Sequence, residues 1–305
     1  MGPGVAGQLV TMSAEERADC QRCHAPLTEQ SEPRSILFSE GVMCAACHTR
    51  NDRTYGPPRR DGSALVSAEG MPHGGWAANG AFEDSRFCAT CHQFKSDGYA
   101  LNGKPLENTY EEWRASRHAR EGRACQSCHM PERRHLWRGI HDPDTTRGAL
   151  TVQVAAFSAA EGEIKAAWLI SNTGAGHYFP TYVTPRVVIA IRQESADGKP
   201  LDGTSREYLI ERRVAPDLSA EIADTRIAPD AKRVFDYAAK RHPRATHVSL
   251  EIRVEPDAFY TELYRSLLRE SPGGPGRQQI ARALEASLAS HYTFYRAQRA
   301  LPGRF

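Results

Sequence analysis

All eight cysteines of the chain fall into four copies of one pattern: Cys20-Gln21-Arg22-Cys23-His24, Cys44-Ala45-Ala46-Cys47-His48, Cys88-Ala89-Thr90-Cys91-His92 and Cys125-Gln126-Ser127-Cys128-His129. The C-x-x-C-H spacing is that of a c-type haem attachment site. Two thiols add to the two vinyl groups of one porphyrin, and the two residues between them set the reach. The adjacent histidine then lies under the ring and gives its imidazole to the iron. Other uses of paired cysteines fit less well. Zinc takes four ligands around one metal and has no reason to follow every pair with a histidine. Thioredoxin-type motifs occur once, near a βαβ pattern, and none is visible. A disulfide framework belongs to a small chain without a core, and this chain has 305 residues. The expectation is four covalently bound haem c groups, with His24, His48, His92 and His129 as proximal ligands.

Four irons would take four more axial ligands, and five histidines are candidates. His73 lies in Met71-Pro72-His73-Gly74-Gly75, a loop whose glycines let backbone approach a ligand closely. It reads as an axial ligand, the plainer alternative being a surface loop histidine. His118 is either a solvated histidine near a helix C-terminus, favoured there by the dipole, or a ligand. His135 and His141 flank Trp137 and Gly139. One of the two ligates an iron while the other hydrogen-bonds a propionate or reaches a different haem, and the spacing does not rank them. His177 lies in Asn172-Thr173-Gly174-Ala175-Gly176-His177-Tyr178-Phe179-Pro180-Thr181. That stretch is either an ordinary turn with an aromatic plug or a loop that carries His177 to a haem and locks two domains together. His242, His247 and His291 read as surface or satisfied core histidines. Met12, Met43, Met71 and Met130 are present, and methionine would raise a haem potential, but histidine exceeds the need.

Elements must hold these residues in place. Ser13-Ala14-Glu15-Glu16 is a capping box opening a helix into Cys20. Thr109-Tyr110-Glu111-Glu112 reads as a second, opening a helix that carries His118 to Gly122. Residues 25 to 86 are rich in Gly, Pro, Arg and Asp and show little periodicity. Such a stretch argues against an ordinary domain and for a chain that wraps apolar macrocycles. From about Gly148 the pattern changes to period two. Strands are expected at Leu150–Phe157, Ile164–Ile170, Val187–Arg192, Glu207–Val214, Arg233–Tyr237 and His247–Val254. Turn signals separate them, as in an antiparallel β-sandwich. Phe259–Leu268 reads as a helix and Arg277–Ala300 as a long one, marked by Ile280, Leu284 and Leu288. The fold class is therefore mixed. An irregular and helical haem-packed domain spans residues 1–148, a β-sandwich residues 149–256, and a C-terminal helical extension residues 257–305.

The net charge of +2 points to no nucleic acid and no strongly acidic partner. No apolar run approaches the roughly 20 residues of a membrane span. Before Gly148 there are sixteen arginines and two lysines. Either the coding sequence favours arginine, or guanidinium forks pair with haem propionates. Met1 to Met12 lacks the basic and apolar regions of a signal peptide. Because c-type haems are attached on the outer side of the energy-transducing membrane, a mature or truncated start and a periplasmic or extracellular protein are expected.

The chain resembles the multihaem c-type cytochromes related to cytochrome c-554. The likeness rests on Tyr110-Glu111-Glu112-Trp113-Arg114-Ala115-Ser116-Arg117-His118-Ala119, on Cys125 to Pro131, on His135 to Asp142, on Phe87 to Phe94 and on Gly174 to Thr181. It implies that His118 is a distal ligand and that the haems form closely packed pairs relaying electrons. Members of the family are also filament subunits or catalysts, so three functions follow. The first is a tetrahaem carrier with bis-histidine irons, passing electrons between redox proteins, and more an electron carrier than an enzyme. The second is an enzyme acting on a small nitrogen or sulfur compound at one five-coordinate haem, although no C-x-x-C-K variant marks such a site. The third is a subunit of a haem filament or membrane redox complex, with the β-domain as partner surface.

Overall fold

The structure is a computed structural model that describes residues 12–32, 35–62, 74–270, 273–274 and 276–303. His73 and Met71 lie outside the described residues. The chain forms two compact units. One comprises Met1–Gln93, Ala124–His135 and Tyr264–Glu285; the other comprises Phe94–Arg123, Leu136–Leu263 and Ala286–Phe305. This grouping cuts across the three-part division drawn from sequence, since 94–123 cluster with the strands.

The helices of the first unit that carry the cysteine pairs end in the haem motifs. Helix α1 is Ala14–His24, α2 Cys44–His48 and α3 Arg86–His92. The expected capping box opens α1: Ser13 Oγ accepts from the Glu16 amide at 3.2 Å, and Glu16 Oε2 accepts from the Ser13 amide at 2.9 Å. Between α1 and α2 the chain is organised by Gln30, which is wholly buried. Its amide donates to Gly41 O at 2.7 Å and its Oε1 accepts from Leu27 N at 3.1 Å. Among the described residues of 12–93 and 124–135, only two apolar side chains are buried, Ala25 and Ala46.

In the second unit, α4 is Thr109–Arg114 and α5 is Arg117–Arg120. The single helix expected here is two. The chain breaks at Ala115-Ser116, and Ser116 adopts extended geometry (φ −82°, ψ 167°). The second capping box does not form, because Asn108 is the N-cap and makes no side-chain cap bond. Gly122 does take the left-handed conformation (φ 73°) expected after the last turn. Helix α6, Cys125–His129, belongs to the first unit. Helix α7, Pro143–Ala149, is capped by Asp142, whose carboxylate accepts from Thr145 N at 2.7 Å.

Eight strands follow α7: β1 Leu150–Ala160, β2 Glu163–Asn172, β3 Arg186–Glu194, β4 Arg206–Val214, β5 Glu221–Asp224, β6 Lys232–Lys240, β7 His247–Glu255 and β8 Tyr292–Ala300. They form two antiparallel sheets in the orders β5-β4-β3-β7-β8 and β6-β2-β1. Period-two patterning sends Ile164, Trp168 and Ile170 of β2 to the same buried cluster as Ile189, Ile191, Leu250 and Ile252 of β3 and β7. The sandwich is thus built around one apolar core. Each strand read from sequence lies within an observed one, and β5 and β8 are additional to them.

Helix α8 is Ala258–Glu270 and α9 is Arg277–Ala289. The C-terminal helical extension is corrected here. The helix expected to reach Ala300 stops at Ala289, and the chain returns as β8, pairing along β7 from Arg253↔Thr293 to His247↔Ala300. Tyr292, Thr293, Phe294 and Tyr295 are β-formers, and Phe294 is buried in the sandwich core.

Candidate haem sites

Every C-x-x-C-H is the last turn of a helix that ends on its histidine. Residues i, i+3 and i+4 of a helix share one face, so each motif presents two thiols and an imidazole to the same side. None of the eight cysteines is in a disulfide. Among the described residues no group of three or more His, Cys, Asp or Glu converges as a metal-ion site.

The motifs of the first unit lie against one another. The Cys125 amide donates to Ser85 Oγ at 3.0 Å, and Gln126 Nε2 donates to Phe82 O at 3.1 Å and Asp84 O at 2.8 Å. These bonds seat α6 on the approach to α3. The thiols of Cys88 and Cys125 hydrogen-bond each other, which pushes the Cys88 thiol up. Burial lowers the His24 imidazole, and burial together with the charges of His129 and His24 lowers that of His92. Both shifts favour the neutral ring, the form that binds a metal.

His48 shows how one such imidazole is oriented. Its Nδ1 sits 2.7 Å from Tyr55 O. A carbonyl can only accept, so the proton is on Nδ1 and the lone pair on Nε2. One face of its ring stacks on Phe82 at 4.9 Å, and the ring of His135 stands 5.9 Å away with planes at 55°. That distance is an ordinary ring contact and sets the two imidazoles side by side within the first unit.

His141 is placed elsewhere. Its Nε2 lies 3.1 Å from both carboxylate oxygens of Asp257, and that partner raises the imidazole above its ordinary value. The two histidines that the spacing left unranked thus have different neighbours, a second imidazole for His135 and a carboxylate for His141.

His118 is buried in the second unit, and neither ring nitrogen has a hydrogen-bond partner among the described residues. Leaving both polar atoms of a buried imidazole unsatisfied is costly, and such atoms ask for a ligand. The backbone holds the ring in place: Arg123 N donates to His118 O at 2.9 Å, and Trp113 Nε1 donates to Arg123 O at 2.8 Å. His291 Nε2 is likewise buried with no hydrogen bond among the described residues, unlike a satisfied core histidine.

The loop bearing His177 packs on α4 and α5. A Cβ on Gly176 would lie 3.0 Å from Trp113 and 3.2 Å from His118 Cβ, and one on Gly174 would lie 1.9 Å from Gly148 O. Close approach, not turn geometry, thus requires both glycines. Buried Asn172 holds the loop: its amide donates to His177 O at 2.9 Å and Ile227 O at 3.1 Å, and its Oδ1 accepts from Ala175 N at 3.2 Å. His177 Nδ1 is 2.9 Å from Tyr178 O, which again leaves the lone pair on Nε2.

Sequence reading missed the polar group beneath this loop. Glu112, assigned there to a cap, accepts from Tyr178 N at 3.0 Å, Thr181 Oγ1 at 2.9 Å and Arg226 at 3.2 Å. Arg226 also lies 4.7 Å over the Tyr178 ring. Burial, then the Glu112 charge, push the neighbouring Glu107 carboxyl up to about 7. Burial pushes Tyr182 up to about 12. The arginines expected at propionates have carboxylate neighbours of their own, such as Arg86 with Asp84 and Arg133 with Glu83.

The fold is similar to that of a penta-haem cytochrome c552 from Thermochromatium tepidum, with a TM-score of 0.64 and 20% identity over 92% of this chain and 83% of that chain. A beta-glucosidase from Kluyveromyces marxianus aligns at a TM-score of 0.19, 9% identity and 36% of this chain, and carries no weight. No protein-family model and no curated protein matches the chain. The chain thus has a multihaem c-type cytochrome fold.

Proposed function

We propose that the chain is a tetrahaem c-type cytochrome that relays electrons between redox proteins and is not itself an enzyme. The carrying observation is that the cysteine-bearing segments of the first unit, 12–93 and 124–135, bury only Ala25 and Ala46 as apolar side chains among their described residues, the unit's third segment adding Tyr264, Ile280 and Ala283. Close-packed interiors are what hold folded chains together, and large apolar cofactors supply the missing one. Four attachment motifs imply four haems, one fewer than the penta-haem relative.

Haem, when bound, supplies one-electron exchange between ferric and ferrous iron. The protein's residues do the rest. Cysteine pairs fix each ring through the face of a helix end, and His24, His48, His92 and His129 supply the proximal nitrogens. With His141 held by Asp257, the distal candidates are His73, His118, His135 and His177, one for each iron. The ring contact of His48 with His135, 5.9 Å between centroids, supports pairing these two on one iron. Two neutral imidazoles saturate an iron and leave no position for substrate, which favours a carrier over a catalyst. The attachment of c-type haem on the outer side of the membrane supports a periplasmic or extracellular protein, with other redox proteins, a membrane complex or further copies of the chain as donor and acceptor.

The test is intact-mass measurement of the holoprotein with EPR of the oxidised form. Four haem additions with only low-spin signals are expected. Fewer additions, or eight titratable thiols in protein made by a cell competent in haem attachment, would sink the proposal.

A further inference from the structure

The peptide group that follows His177 is held at both ends. Its carbonyl, His177 O, accepts from Asn172 Nδ2 at 2.9 Å, and its amide, Tyr178 N, donates to Glu112 Oε2 at 3.0 Å. The next carbonyl, Tyr178 O, lies 2.9 Å from His177 Nδ1 and takes its proton. Glu112 thus stands one peptide away from the group that fixes the imidazole. The same Glu112 oxygen accepts from Thr181 Oγ1 at 2.9 Å, and Thr181 Oγ1 lies 2.8 Å from Thr109 Oγ1 on the first turn of α4. Asn172 belongs to the sandwich, whereas Glu112 belongs to the helix pair that carries His118. One carboxylate therefore ties the His177 loop to α4.

Stability alone does not account for a charge in this place. The side chains of Glu112 and Arg226 are 3% and 4% exposed. A buried ion pair contributes little net stability against apolar residues of similar volume, because both ions lose their hydration. Arg226 does not depend on Glu112 for a partner either: Asp224 accepts from its Nε at 2.9 Å and from its Nη2 at 3.0 Å. What the carboxylate adds is geometry. A group that only accepts can be met by an N–H, an O–H and a guanidinium at once, and the first two of these belong to the His177 loop.

We propose that Glu112 is a positioning residue for haem ligation. Through the Tyr178 backbone it fixes the plane of the His177 imidazole and keeps the Nδ1 proton on the Tyr178 carbonyl. Outer partners of this kind orient a ligating imidazole and raise its basicity, and a more basic imidazole favours ferric over ferrous iron. The proposal rests on the reading of His177 as a distal ligand.

EPR of the oxidised holoprotein together with spectropotentiometry, on Glu112→Gln, Thr181→Val and His177→Ala, tests this. The g-values of a low-spin haem follow the angle between its two imidazole planes, so they report ring orientation separately from potential. Glutamine fills the same volume and leaves Arg226 on Asp224, so the fold should persist. In Glu112→Gln one haem should change its g-values and move to a higher midpoint, while the other three stay at wild type. Thr181→Val removes an uncharged contact from the same carboxylate and should move the same haem in the same direction by less; it also serves as the test should Glu112→Gln fail to fold. His177→Ala should turn that same haem high-spin. Wild-type g-values for all four haems in both Glu112→Gln and Thr181→Val would overturn the proposal. So would a raised midpoint in Glu112→Gln with unchanged g-values and a wild-type Thr181→Val, the signature of a lost charge acting through space. Four low-spin haems in His177→Ala would instead remove His177 as a ligand, and the proposal with it.

Discussion

Replacing Glu107 by glutamine should stabilise the protein at alkaline pH and leave it nearly unchanged at acid pH. The carboxyl is raised from 4.5 to about 7, first by burial and then by the Glu112 charge. A change of that size separates the ionised and protonated forms by about 3 kcal/mol; since the side chain keeps some exposure, about 2 kcal/mol is the realistic figure. A raised acid binds its proton more tightly folded than unfolded. Its contribution is therefore fully present below pH 4.5 and is lost as pH rises to about 7. Glutamine cannot ionise and removes that slope. Carboxylates with lowered values, such as Asp224 beside Arg226 and Lys104, are common to both proteins and cancel in the comparison. Urea unfolding of the wild-type and Glu107→Gln holoproteins, followed by circular dichroism, should give coincident midpoints near pH 4.5. Near pH 8.5 the glutamine variant should be the more stable by about 2 kcal/mol. A difference that is the same at both pH values would refute the burial and charge account.

Other substitutions follow from the candidate sites. His135→Ala should open one iron, giving a high-spin signal and stoichiometric carbon monoxide binding, while His141→Ala should leave the haem spectra unchanged; EPR on both variants distinguishes them. His118→Met should raise the midpoint of one haem, because a thioether ligand raises the potential, and spectropotentiometry reads the shift. Gly174→Ala should cost about 2 kcal/mol or more in thermal unfolding, because its Cβ would fall 1.9 Å from the Gly148 carbonyl oxygen, which cannot yield without backbone movement.

Local signals in the sequence were legible. Cys20, Cys23 and His24 lie at helical spacing on one face, so the motif encodes its own helix end. The strands from Leu150 to Val254 show because alternating burial leaves alternating residue types. Long-range partners were not legible. Glu112 sits three residues after a threonine as a cap would, yet its carboxylate is taken by Tyr178 and Thr181, 66 and 69 residues away. His135 and His141 look equivalent along the chain, yet the first stands beside the His48 ring and the second beside Asp257, neighbours that no spacing announces. Strand β8 was hidden because Ile280, Leu284 and Leu288 carry a helical spacing up to its threshold. The path of residues 25 to 86 follows no period, since side-chain packing does not organise it; Gln30 and its backbone partners do so in part.

Carbon monoxide titration of the fully reduced holoprotein, read in the Soret band, bears most directly on the claim of four histidine-saturated haems. The account predicts a spectrum unchanged at saturating gas. Binding of one equivalent per chain would contradict it and turn that iron into a reaction site.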